Sequence, residues 1–168
     1  MKKNVEIIQV NVERTIVNDE LNDQESVLLE KAIESSKNAY APYSRFNVGA
    51  AVLLANGTIV IGNNQENVAY PSGLCAERVA FFAAGAQYPG VEIKSVAIYA
   101  YSDVFEVKDA VAPCGACRQA MAEYELKQGK PISLLMSGPE GNVKKISDIS
   151  SLLPLIFNET KPNSENRV

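Results

Sequence analysis

Three cysteines and one glutamate are the residues of this chain whose types and spacing best suit chemistry. Cys114 and Cys117 stand three positions apart, Cys75 lies well upstream, and Glu77 follows Cys75 by two positions. There are 3 cysteines and no histidine among 168 residues. Without histidine there can be no Ser-His-Asp triad, no Cys-His dyad and no histidine-bearing metal site. The chain opens Met1-Lys2-Lys3-Asn4 and continues with mixed polar and apolar residues rather than the apolar core of a signal peptide, which predicts a cytosolic address. An odd number of thiols in that setting argues against a disulfide framework and favours metal or redox chemistry.

Pro113 marks a helix start immediately before Cys114-Gly115-Ala116-Cys117, and Cys75 follows Gly73 at another predicted helix start. Helix N-termini carry partial positive charge and free N–H groups, which stabilise thiolates. Three thiolates leave one position open on a tetrahedral Zn²⁺, as in a catalytic site, whereas a structural site is normally closed by a fourth protein ligand. A CxxC by itself is equally compatible with a redox pair or with inert buried thiols. The placement of every cysteine at a predicted helix start tips the balance towards metal. Glu77 has an ordinary reading as an acid favoured in a first helical turn. Beside a metal ligand it is also placed to take a proton from activated water and deliver it to a substrate nitrogen.

Several elements must position these groups. Asn22-Asp23-Gln24-Glu25 has capping-box spacing, and Leu28, Ala32, Ser35 and Ala39 then share a helical face up to Pro42. Phe46 to Leu54 reads as a buried strand that turns at Asn56-Gly57 into a returning strand, Thr58 to Ile61. A long polar loop, Gly62 to Gly73, precedes a helix from Cys75 to about Ala86 with Val79, Phe82, Ala83 and Ala86 on one side. Val96 to Tyr101 is the next strand, and Cys117, Ala120, Met121 and Tyr124 recur at helical spacing after Pro113. Ile132 to Met136 and Val143 to Lys145 are further strands, and a last short helix is capped by Ser147 or Asp148 and ends by Pro154. Strands separated by helices, together with an opening hairpin, predict a mixed sheet between helices. Residues 1–21 read as an added arm or edge strand, residues 22–160 as one domain, and the polar residues 161–168 as a disordered tail.

Composition excludes other classes. The formal charge is −4, from 16 basic and 20 acidic side chains, and the longest basic runs are the pairs Lys2-Lys3 and Lys144-Lys145. A nucleic-acid binder needs a basic stripe to displace counterions from phosphates, so a small or neutral substrate fits better. No apolar run approaches the roughly 18 residues that cross a membrane. Hydrophobic content of 46% and charged content of 21% are those of an ordinary globular domain.

Cys75-Ala76-Glu77-Arg78 and Pro113-Cys114-Gly115-Ala116-Cys117-Arg118-Gln119 resemble the two signature motifs of the cytidine deaminase family, in its zinc-dependent, three-cysteine, homotetrameric type. The resemblance runs from about Leu28 to Phe157 and implies a three-layer α/β/α sandwich around a mixed sheet of about five strands. It implies one Zn²⁺ per subunit on Cys75, Cys114 and Cys117, with Glu77 as proton shuttle and Arg78 balancing the charge of the thiolates. Asn64-Gln65-Glu66-Asn67 matches the family's Asn-x-Glu-Asn segment, so Asn64 and Glu66 would bond ribose hydroxyls. Phe46 would pack on the pyrimidine, the N–H of Ala76 would meet its edge, and Phe157 would reach a neighbouring subunit's pocket. Tyr70 falls where the family makes an intersubunit contact, while Asn47 stands where members commonly carry proline. The implied activity is deamination of cytidine and 2′-deoxycytidine in pyrimidine salvage. A deaminase of a modified cytosine nucleoside or nucleoside antibiotic, a non-catalytic zinc-stabilised binding module and a thiol redox protein are the rival readings.

Overall fold

The computed structural model describes residue 7, residues 9–16 and residues 21–158. The expected tail, 161–168, and much of the N-terminal arm lie outside these. The described elements are strand β1 (Glu13–Ile16), helix α1 (Asp23–Ser36), β2 (Phe46–Leu54), β3 (Ile59–Asn63), α2 (Ala76–Gln87), β4 (Ile93–Ser102), α3 (Gly115–Gln128), β5 (Ser133–Ser137) and β6 (Asn142–Ile146). They form one sheet in the order β1-β6-β5-β4-β2-β3. Only β4 and β5 run parallel; they are joined through α3, and the other neighbours are antiparallel. The arm supplies the sixth strand, with Glu13 opposite Lys145 and Ile16 opposite Asn142.

Alternation along the strands assigns the layers, because successive side chains point to opposite faces. Ala51, Leu53, Ala97, Leu135 and Val143 pack with Leu28, Leu29 and Ala32 of α1. Ala50, Val52, Leu54, Val96, Ile98, Leu134 and Met136 pack with Ala80 and Phe81 of α2 and with Cys117 and Met121 of α3. Three layers result, as the family resemblance implied. Two glycines set how closely the helices approach. A Cβ on Gly49 would lie 2.0 Å from the Ala32 carbonyl oxygen of α1, and one on Gly62 would lie 2.5 Å from the Ala80 nitrogen of α2.

Three local expectations need correction. The capping box of α1 forms as read, with Asn22 and Glu25 each accepting the other's backbone N–H, but the helix ends at Ser36 and excludes Ala39. The chain leaves it because the N–H of Tyr40 donates to the Asn64 carbonyl and its carbonyl accepts from Glu66, so pairing with the 64–66 segment outweighs another helical turn. On α2 the buried stripe is Ala76, Glu77, Ala80, Phe81 and Ala84, whereas Phe82 and Ala86 are exposed. Small residues at the first stripe let α2 sit on Gly62, which a stripe led by Phe82 would prevent. The last helix is a single 3₁₀ turn, Ser150–Leu152. Among the described residues no helix is long and apolar enough to cross a membrane.

Candidate active site

The two helix starts that carry the cysteines converge. Cys75 is the N-cap of α2 and Cys114 the N-cap of α3, while Cys117 lies in the first turn of α3. The Cys75 and Cys114 sulfurs are 3.9 Å apart, those of Cys114 and Cys117 3.5 Å, and all three lie within 4.8 Å of one another. Zn–S bonds of about 2.3 Å imply tetrahedral S···S edges of about 3.8 Å, so the three sulfurs are gathered closely enough to hold a zinc ion. Cys114 is exposed and Cys117 buried, so the cluster has an open side.

Cys75 and Cys117 are shifted in opposite directions. The hydrogen bond with Cys117 holds the Cys75 thiol well below its ordinary range, with help from Arg78 and against the cost of burial. The same hydrogen bond, together with burial and the charge of Glu77, pushes Cys117 up. Arg78 Nη2 lies 3.9 Å from Cys75 Sγ, and its buried Nε has no hydrogen-bond partner among the described residues. A guanidinium brought this close to thiols is held by charge. Glu77 is only 5% exposed, and burial raises its pKa.

Above the cluster opens a cavity of about 690 Å³ lined by Phe46, Asn64, Glu66, Cys75, Glu77 and Cys114 among others. It therefore brings together most of the residues singled out from the sequence. Glu66 Oε2 accepts the N–H groups of Tyr43 and Ser44 at 3.0 and 3.2 Å. Its pKa is lowered: burial pushes upward, but the bonds from Ser44 and Tyr43 prevail. Asn64 has a second task. Its Oδ1 accepts from Val48 N at 2.8 Å and its Nδ2 donates to Phe46 O at 2.9 Å, which clamps the start of β2. Ala76 is the first residue of α2, where a backbone N–H has no partner within the helix. Phe157 does not line this cavity. It is 83% exposed, and Gln119 holds its backbone at both the N–H and the carbonyl.

The sequence profile of the cytidine and deoxycytidylate deaminase zinc-binding region matches residues 22–129, a span that holds all three cysteines and Glu77. The chain belongs to this deaminase family. A cytidine deaminase of Halalkalibacterium halodurans is 40% identical over 131 residues, 78% of this chain and 92% of that protein. Another, from Sporosarcina psychrophila, is 40% identical over 136 residues with the same coverage. The solved cytidine deaminase of Burkholderia pseudomallei superposes with a TM-score of 0.67 at 38% identity, over 78% of this chain and 97% of that one. The Cys75–Cys114–Cys117 cluster, positioned to hold a metal ion, lies within this zinc-binding region.

Four residues of this deaminase family member carry structure that sequence reasoning gave no role. Glu125 of α3 is buried and accepts the N–H groups of Ile132, Ile149 and Ser150 at 2.7, 2.8 and 2.9 Å, and the Ser150 hydroxyl as well. Arg118 donates from Nε to Pro113 O at 2.8 Å and from Nη1 to Leu152 O at 3.1 Å, tying the cysteine loop to the C-terminal segment. Gln119 extends that tie to Phe157. The fourth is Phe105, whose ring stacks on Phe46. Arg118 and Gln119 stood in view beside the second cysteine motif. Glu125 and Phe105 had no motif to reveal them.

Proposed function

We propose that the protein is a zinc-dependent cytidine deaminase, converting cytidine and 2′-deoxycytidine to uridine and 2′-deoxyuridine with release of ammonia. The observation that carries this reading is a buried carboxylate, Glu77, facing a nucleoside-sized cavity beside three convergent thiols. Water is consumed as the C4–amino bond breaks and a C4 carbonyl forms. Zinc held by Cys75, Cys114 and Cys117 supplies Lewis acidity that activates water at neutral pH. The chain's own groups do the rest. Glu77 accepts a proton, delivers it to N3 of the ring and assists departure of the amino nitrogen as ammonia. Arg78 withdraws charge from the Cys75 sulfur, which keeps a three-thiolate site from becoming too electron-rich to acidify water.

Phe46 packs on the pyrimidine, and the N–H of Ala76 meets its edge. Glu66 binds the ribose hydroxyls together with the remaining hydrogen-bonding capacity of Asn64, whose amide already clamps β2. The assembly is a homotetramer with shared active sites. Phe157, exposed and rigidly held outside its own cavity, supports a role in stacking against a base bound by a neighbouring subunit. Exposed Tyr70 supports an intersubunit contact at the cavity rim. Residues 22–160 form the deaminase domain, residues 1–21 are an arm, and the enzyme works in cytoplasmic pyrimidine salvage.

Metal analysis paired with a cytidine assay followed by ultraviolet absorbance tests the core of this reading. About one zinc per chain with cytidine turnover, lost on chelation and restored by Zn²⁺, is the expected result. Zinc without turnover would leave a metal-stabilised binding module instead.

A further inference from the structure

The loop between β4 and α3, residues 103–114, does more than connect them. It leaves β4 at Ser102, which pairs with Phe46 across the β2–β4 ladder. The Ser102 hydroxyl donates to Arg45 O at 2.8 Å and accepts from Val104 N at 3.2 Å, so the departure is fixed. Arg45 itself adopts a positive φ of 57°, a left-handed turn rare for a side-chain-bearing residue, immediately before Phe46. Towards its far end the loop is held by Lys144 Nζ on Asp109 Oδ2 at 2.5 Å, and it then delivers Val111, Ala112 and Cys114 to the cavity wall. Between these anchors Phe105 folds back onto Phe46, with ring centroids 5.9 Å apart and planes 17° apart.

We infer that Phe105 is a positioning residue of the nucleoside site, acting through Phe46. Phe46 lines the cavity and Phe105 does not, so Phe105 meets the Phe46 ring from outside the cavity lining. Phe105 is 49% exposed and belongs to neither core cluster, which makes it a poor core filler. What its ring does cover is Phe46. A stacked partner restricts rotation of the Phe46 ring before a base arrives, so less side-chain freedom is lost on binding. The same contact links the base-packing residue to the segment that presents Cys114. This inference rests on the nucleoside reading of the cavity.

The test compares wild type, Phe105→Ala and Phe105→Tyr as zinc-loaded full-length proteins. Calorimetry reads the affinity for uridine, and steady-state kinetics reads cytidine turnover. Phe105→Ala should weaken uridine binding and raise KM for cytidine about fivefold, with kcat changed less than KM. Phe105→Tyr, which keeps the ring, should restore both to within about twofold of wild type. Zinc content and melting temperature should stay close to wild type in both variants, because Phe105 lies outside the core. Uridine affinity of Phe105→Ala within about twofold of wild type overturns the inference, as does a fall in kcat with unchanged KM. Absence of cytidine turnover by wild type would instead sink the deaminase reading, while the uridine affinities would still decide the role of Phe105.

Discussion

Glu77 and Glu125 are both buried carboxylates, 5% and 7% exposed, on the neighbouring helices α2 and α3. Their surroundings differ in the number of donors that reach them. Glu125 collects three backbone N–H groups and a hydroxyl, from the entry to β5 and from the C-terminal 3₁₀ turn. A carboxylate so fully hydrogen-bonded serves as a knot between three segments. Around Glu77, burial raises the pKa most and the charge of Cys75 adds to it, while its own backbone N–H and the Cys117 thiol only partly offset them. One carboxylate is satisfied and structural. The other is buried beside the thiol cluster and lines a cavity. Burial alone does not mark a functional acid; burial at a cavity next to a candidate metal cluster marks a candidate.

The sharpest way to break this contrast is Glu77→Gln. It should lower cytidine turnover by about 10²–10⁴-fold while zinc content and fold persist, because the proposed mechanism loses only its proton shuttle. Turnover near wild type would place the two carboxylates in the same structural class. Glu125→Ala should do the reverse. It strands four donors, and urea denaturation should show a loss of about 3 kcal/mol in unfolding free energy. Its folded, zinc-loaded fraction should turn over cytidine within about twofold of wild type. Loss of turnover without loss of stability would show that Glu125 reaches the chemistry after all.

Glu66 lies between these extremes and sharpens the scale. It lines the cavity, yet the N–H groups of Tyr43 and Ser44 hold its pKa below the ordinary 4.5. A depressed folded pKa gives stabilisation that is complete above pH 4.5 and is lost as pH falls through the depressed value. The Tyr43–Ser44 segment should therefore stay ordered, and KM for cytidine flat, from neutral pH down to the ordinary carboxylate range. Below it KM should rise, and Glu66→Gln should flatten that rise. A wild-type KM that climbs well above pH 4.5 would contradict the donor pattern.

The comparison also shows why some of this protein was legible before any coordinates. Chemistry that depends on residue type and short spacing can be read directly. The capping box at Asn22, the two-residue gap from Cys75 to Glu77 and the CxxC after Pro113 are local, and local geometry follows from the backbone. The alternating strands were legible for the same reason, and with them the mixed sheet between helix layers. The apolar residues of α2 were ambiguous, because two stripes fit a helical period and only contact with Gly62 chose between them. The end of α1 at Ser36 was not legible, because a long-range pairing of Tyr40 with the 64–66 segment ends the helix before Ala39.

By itself the sequence determined the ligand chemistry. Without histidine, the three thiols form the only transition-metal site this chain could readily build from soft ligands, and the spacing of Glu77 put an acid beside it. Only the tertiary structure decided how each group is used. It brought Cys75 to within 3.9 Å of Cys114, gave Glu125 its four donors, spent the Asn64 amide on the β2 backbone and laid Phe105 over Phe46. These outcomes depend on distances between segments far apart in the chain. A sequence pattern encodes such distances only through the packing of the whole fold.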